Sequence, residues 1–258
     1  MLKVRFQMSQ KMLPKLTESN YYSTGSDLAY MSVSQYKSFC RCEAATMARL
    51  KGEYEPQGNN TALLVGSYVD SSIEGTLDKF KEENPQIFTQ KGELKSDFKK
   101  AEEIVQLINK NELFMQFLSG EKQVILTFNL FDVDWKIKMD SFVRDICITD
   151  LKTARNTDGI VKWRYDIQGA IYQKGVELNG FGTLPFYLAV ATKEDIPELN
   201  IFQIPQSTLD LALMEVEENL PHIMEVKTGK IEPTRCECCD YCKKTRQVKI
   251  RNYNELLG

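Results

Sequence analysis

The stretch 123–153, QVILTFNLFDVDWKIKMDSFVRDICITDLKT, leaves this chain few ways to fold. Short turn signals at 131–134 and 144–145 cut it into three β-rich segments, QVILTFNLF, DWKIKMDSFV and DICITDLKT, which read as an antiparallel meander. Asp140 lies in the second segment, and Asp150-Leu151-Lys152 closes the third. Alternate side chains of a strand share a face, so Asp150 and Lys152 point the same way. A three-residue connection between the two strands sets Asp140 opposite Asp150. The residues before Asp150, ICIT, are apolar and core-like, so a charge there needs a partner. Two carboxylates that close repel unless a cation lies between them, and hard oxygen ligands suit Mg²⁺ or Mn²⁺. Such an ion lowers the pKa of a bound water and stabilises charge growing on a phosphate oxygen. Lys152 is then placed to orient the water or stabilise the pentavalent state. The spacing alone also fits a solvated hairpin of ordinary charges, so its surroundings decide its meaning.

Around this meander the periodicity changes. A helix capped by Ser32 or Ser34 is predicted over 32–50, and a second over 61–81 after the turn-rich KGEYEPQGNN. One or two more helices follow over 96–118. Beyond the meander the pattern predicts a helix over 159–178, strands over 183–192 and 199–204, and a long amphipathic helix over 207–227. Helices, three antiparallel strands, helix and strand require a mixed sheet flanked by helices, an α/β fold. We expect one domain over 1–230, helical in 1–120 with a catalytic core in 121–230, and a cysteine-rich segment over 231–258 packed on it.

Composition excludes several functions. Hydrophobic residues make up 42% and charged residues 27% of 258, an ordinary globular balance. No apolar run approaches the ~20 residues of a membrane helix. The first residues lack a signal-peptide core, so a cytoplasmic protein without a membrane partner is expected. A net charge of −3 speaks against a sequence-independent DNA coat protein. It leaves room for a local basic strip, for which Lys243, Lys244, Arg246, Lys249 and Arg251 are candidates; a solvated tail accounts for them equally. The single histidine, His222, falls on the late amphipathic helix and reads as structural, against Ser-His-Asp or Cys-His catalysis.

Two further groups of residues bear on the hairpin. On the helix containing GSYVDSSIEG, Leu63, Gly66, Ile73 and Leu77 lie at helical spacing from Asp70, so the aspartate projects from an apolar stripe. It is either a ligand or a buried carboxylate satisfied by hydrogen bonds. Gly66, one turn earlier, admits close approach of another backbone or a substrate strand. In YDIQGAIYQKG, Gln168 and Tyr172 share a face with Tyr165 nearby, and face substrate if that helix lies on the hairpin.

In this order Asp70, Asp140, Asp150-Leu151-Lys152 and Gln168-x-x-x-Tyr172 resemble the RecB-like branch of the PD-(D/E)XK nucleases, in particular RecE (exodeoxyribonuclease VIII)-like proteins of phages and bacteria. The resemblance spans most of the chain. It implies a restriction-endonuclease-like αβββαβ core and a metal-dependent exodeoxyribonuclease of recombination or repair. Its substrate would be DNA, and a single-strand annealing protein is a possible recombination partner. By the same resemblance Asp140 and Asp150 are metal ligands, the Leu151 carbonyl completes the sphere, Lys152 is catalytic, and Gln168 and Tyr172 position the lysine and the DNA. Many relatives carry histidine in a G-x-x-x-H arrangement where this chain has Gly66 through Asp70, so Asp70 as ligand implies an altered metal preference. The alternative is a degenerate nuclease fold, or a cysteine-metal module, that binds nucleic acid or protein.

Seven cysteines in a chain expected to be reduced point away from disulfides. Cys147 falls in an apolar strand. Cys236, Cys238, Cys239 and Cys242 crowd into CECCDYC, and Cys40 and Cys42 sit far upstream. Some relatives hold a [4Fe–4S] cluster with one early and three late cysteines, which the resemblance maps onto Cys40, Cys236, Cys239 and Cys242. Cys42 is the alternative early ligand, Cys238 could replace a neighbour, and the spacing also suits Zn²⁺.

Overall fold

A computed structural model describes residues 13–56, 61–248, 250, 252 and 254. Phe131 and Asp132 both take positive φ (55° and 59°), the two-residue turn whose twist matches antiparallel strands. It folds β1 (Val124–Leu130) onto β2 (Val133–Met139), with Phe128 opposite Trp135. The core-facing residues of β2 are Trp135, Ile137 and Met139, yet the next one is Phe142, in β3 (Ser141–Val143). The alternation therefore slips by one residue at Asp140, and the chain leaves the β1–β2 plane there.

This slip corrects the expected three-stranded meander. The hairpin β1–β2 stands as its own two-stranded sheet, and β3 opens a second sheet in the order β3-β4-β5-β6. In it β4 (Cys147–Ala154) pairs antiparallel with β3 and parallel with β5 (Phe186–Thr192), and β6 (Leu199–Gln203) pairs antiparallel with β5. The physical cause is a side chain. Asp140 accepts the Leu151 N–H on its carboxylate (3.1 Å), where a continuous ladder would offer a backbone carbonyl.

Helices cover both faces of this mixed sheet, as the sequence leads one to expect. Ile148, Leu188 and Val190 meet α2 (Val33–Arg41), α8 (Tyr165–Val176) and α9 (Gln206–Lys227) through Tyr36, Ile171 and Val216. Leu151, Ala189 and Ala191 meet α4 (Thr61–Glu74) and α6 (Ser96–Lys110) through Val65, Tyr68 and Ile104. The short α1 (Thr24–Ala29) is tied to β2 by the buried Lys136, which donates to Ser26 Oγ (2.7 Å) and Asp27 Oδ1 (2.6 Å). The close seating of α8 depends on glycine: a Cβ on Gly175 would fall 2.4 Å from the Phe128 ring. Among the described residues no helix is long and apolar enough to cross a membrane.

Several helix boundaries differ from expectation. The span 32–50 is two helices, α2 and α3 (Glu43–Leu50), parted at Cys42, whose extended backbone (φ −167°) ends one and caps the other. The span 61–81 breaks at Gly75 (φ 76°) into α4 and α5 (Leu77–Glu83). The span 96–118 holds α6 and α7 (Glu112–Phe117). The span 159–178 begins with a 3₁₀ turn, Ile160–Trp163, and α8 starts after Arg164. The stripe on α4 also rotates: Leu63 is 73% exposed, and Val65, Tyr68 and Val69 are the buried residues. What nears Gly66 is the Thr153 hydroxyl, 3.3 Å from where a Cβ would stand.

Candidate active site and cysteine cluster

The β3–β4 connection has three residues, 144–146, and pairs Ser141 with Thr149. The next step of that register sets Asp140 beside Asp150, as the turn length predicts. Leu151 gives its N–H to Asp140. A strand residue directs its N–H and C=O to the same edge, so the Leu151 carbonyl also faces this site. Asp150 and Lys152 project on the α8 side, where Gln168 Nε2 donates to Asp150 Oδ1 (2.6 Å) and the Tyr172 hydroxyl donates to the Lys138 carbonyl (2.9 Å). The face of α8 read from the sequence therefore lies on the hairpin. Tyr165 belongs to it as well, its ring centroid 5.5 Å from Lys152 Nζ.

Charge is concentrated here at a cost. Burial pushes Asp70 up to about 7, aided by the Asp150 and Glu74 carboxylates and opposed by Lys152. Burial likewise holds Asp140 well above the usual carboxylate range, with Asp150 and Asp70 adding to it. For Lys152 burial disfavours the ammonium, but Asp150 and Asp140 outweigh it and raise its pKa. The ammonium pairs with Asp150 Oδ2. That oxygen is buried, and the ammonium is its partner among the described residues. Asp150 Oδ2, held by this ammonium alone, together with two neighbouring carboxylates and a backbone carbonyl forms a hard-oxygen donor set that fits Mg²⁺ or Mn²⁺. It is the same oxygen that Lys152 contacts, so a cation and the ammonium compete for it.

The sequence reading missed several neighbours. Glu74, one turn beyond Asp70, acts on its charge and accepts a hydrogen bond from Gln123. Its i+4 spacing from Asp70 was the available signal. Lys37 and Lys138 also approach the site, and Lys37 is held down to about 8 by burial and by the Lys152 charge. No local pattern marks Lys37, because α2 reaches the hairpin only through tertiary packing.

A second cluster lies at the break between α2 and α3. The Sγ atoms of Cys42, Cys236, Cys239 and Cys242 all lie within 4.8 Å of one another. Backbone N–H groups point at these sulfurs: Cys239 to Cys236 (3.3 Å), Cys242 to Cys239 (3.5 Å) and Ala45 to Cys42 (3.5 Å). The N–H groups of Cys238 and Cys239 lower the Cys236 thiol to about 6, which favours a thiolate. This donor set fits a tetrahedral thiolate-bound metal. Cys42, not Cys40, is thus the early member. Cys40 lies in the last turn of α2 on an exposed surface against Tyr36, whereas Cys42 stands in the helix break and turns toward the late cysteines. Cys238 is exposed and outside the four, although 3.5 Å from Cys236. Glu43 fastens the segment by accepting from Thr234 N and Oγ1 (2.8 Å each), and His222 bonds the same carboxylate (2.7 Å). Of the candidate basic strip, Arg246 is engaged by Glu237, and Lys249 and Arg251 lie outside the described residues.

Comparison with known proteins agrees with this fold. A family described as a PDDEXK-like domain of unknown function (DUF3799) matches residues 32–245. The crystal structure of a proposed exonuclease from Eubacterium rectale is 46% identical, superposes with a TM-score of 0.90, and covers 94% of this chain and 98% of its own. A second solved structure, SSO0001, is 15% identical over 81% of this chain and 96% of its own, with a TM-score of 0.31, too distant to bear on the site. No protein of curated function matches. With a mixed sheet, a hairpin bearing Asp140 and Asp150-Leu151-Lys152, and a family match over most of its length, the chain belongs to the PDDEXK-like family DUF3799, within the PD-(D/E)XK nuclease superfamily.

Proposed function

We propose that this protein is a metal-dependent nuclease that hydrolyses phosphodiester bonds in DNA, acting as an exodeoxyribonuclease in recombination or repair. The observation that carries the reading is the convergence of Asp70, Asp140 and the buried Asp150 around Lys152, with Asp150 Oδ2 held among the described residues by that ammonium alone. A divalent cation there would be held by Asp70, Asp140, Asp150 and the Leu151 carbonyl; when bound, it supplies an activated water and charge stabilisation at the phosphate. Lys152, released from Asp150, would donate toward the attacked phosphate oxygens. Gln168 fixes the Asp150 rotamer through its 2.6 Å bond, and Tyr172 anchors α8 to β2 through Lys138.

The exonuclease assignment follows the name given to the relative from E. rectale and the resemblance to RecE-like proteins, which also suggests a single-strand annealing protein as partner. We read the chain as one nuclease domain to about residue 230, to which the segment beyond it is fastened by a metal at Cys42, Cys236, Cys239 and Cys242. A [4Fe–4S] cluster is our assignment there, with Zn²⁺ as the alternative.

Purified protein should degrade linear DNA with Mg²⁺ or Mn²⁺ and stop on addition of chelator, and Lys152→Ala should remove the activity in protein that circular dichroism shows to be folded. Wild-type protein that cleaves under no metal condition would overturn the hydrolytic reading in favour of nucleic-acid or protein binding. Iron with absorbance near ~400 nm identifies the cluster; stoichiometric zinc in colourless protein replaces it.

A further inference from the structure

Beside the carboxylates the chain holds an aromatic and cationic surface that hydrolysis as described leaves unused. After β4 the 3₁₀ turn Ile160–Trp163 ends at Arg164, which takes a left-handed backbone (φ 52°) that side-chain-bearing residues such as arginine seldom adopt. Two carboxylates hold it there. Its guanidinium bonds Asp166 (2.9 Å) and Glu215 of α9 (2.7 and 3.0 Å). Arg164 is thus committed to position the turn, which keeps Val161 84% and Trp163 54% exposed.

The neighbours of these residues are cations. Lys37 donates to the Trp163 carbonyl (2.8 Å) and lies 5.3 Å from the Tyr165 ring centroid. The Arg41 guanidinium lies 5.7 Å from the Trp163 ring. Tyr165 in turn meets Lys152, so a chain of contacts links Trp163 to Asp150 through Lys37, Tyr165 and Lys152. Lys37 also lines a cavity of about 140 Å³, with Ser32, Ser34, Lys138 and the exposed Tyr22, whose floor includes Gln168.

We infer that this surface, resting on the nuclease reading above, binds the single-stranded end of a DNA substrate. An unpaired base stacks on Trp163, and its phosphates lie against Lys37 and Arg41, which lead the strand to Asp150. Stacking faces beside a few cations suit unpaired bases, which offer a π-face, whereas a duplex offers its phosphates and calls for a broad cationic surface. The net charge of −3 provides no such general attraction.

The test is binding of a labelled oligothymidine and of a blunt duplex, with Ca²⁺ replacing Mg²⁺, alongside cleavage of linear DNA in Mg²⁺. Trp163→Ala should weaken oligothymidine binding on the order of ten-fold and duplex binding by less than about two-fold. Trp163→Phe should restore most of the loss, which excludes misfolding as its cause. Arg41→Ala should flatten the dependence of log affinity on log salt by about 0.7, the increment for one phosphate contact on a single strand. Arg144→Ala, one positive charge lost at the far end of the β3–β4 hairpin, should change neither. Unaltered oligothymidine binding by Trp163→Ala, with wild-type cleavage intact, overturns this inference and leaves the nuclease reading standing. Tryptophan-dependent binding in a wild-type protein that never cleaves supports the surface and overturns the hydrolytic reading instead.

Discussion

The carboxylate site and the cysteine cluster, the latter gathered at the break between α2 and α3, are held in opposite ways. Asp140, Asp150 and Lys152 sit on one hairpin, placed by ladder register, with Asp70 brought in from α4. Their burial works against the fold: Asp70 is pushed up to about 7 and Asp140 higher than its ordinary range. The cysteines join positions 200 residues apart, Cys42 and Cys242, whose sulfurs lie 3.6 Å from each other. The metal proposed there would close a loop of this length and remove much unfolded-state entropy. One region is thus expected to lower stability for the sake of chemistry, and the other to raise stability without taking part in chemistry.

The largest expected effect is at the carboxylates. Asp150→Ala should reduce cleavage of linear DNA at least about 100-fold by disrupting the cation site, while the metal-free protein melts no lower than wild type. A sharp fall in melting temperature would make Asp150 a structural residue and dissolve the contrast. Next, Cys242→Ser should lower the melting temperature by on the order of 10 °C and release the bound metal, while the protein that remains folded cleaves at the wild-type rate. Loss of cleavage in folded Cys242→Ser protein would show that the cluster serves the chemistry after all. Gln168→Leu should slow cleavage about ten-fold, the scale of one hydrogen bond to a charged group, with little change in melting. The smallest effect separates the two upstream thiols. Cys40→Ser should stay within about 0.5 kcal/mol of wild type and keep its metal, whereas Cys42→Ser should match Cys242→Ser; the reverse result would reinstate Cys40 as the ligand.

Much of the hairpin was legible because its determinants are local. Turn length set the register that pairs Ser141 with Thr149 and so places Asp140 beside Asp150. The slip at Asp140 was not legible, because it depends on a carboxylate replacing a backbone carbonyl opposite Leu151. On α4 the periodicity indicated an apolar stripe including Leu63, but packing on α6 and β4 selected the neighbouring face. The choice between Cys40 and Cys42 turned on a helix break. The break is secured by the Cys42 thiol capping Ala45 and by the Ala44 N–H reaching the Thr234 carbonyl, a partner remote in sequence.

The sequence by itself determined the strand pattern, the opposed aspartates with their lysine, the helix face of Gln168 and Tyr172, and the crowding of late cysteines, since each follows from periodicity or spacing within a few residues. Only the tertiary structure decided that the meander divides at Asp140, that Glu74 and Lys37 join the site, that Cys42 completes the thiol cluster, and that Trp163 stands open beside Arg41. Those outcomes rest on contacts between distant segments, whose free energy depends on which surfaces the whole core brings together.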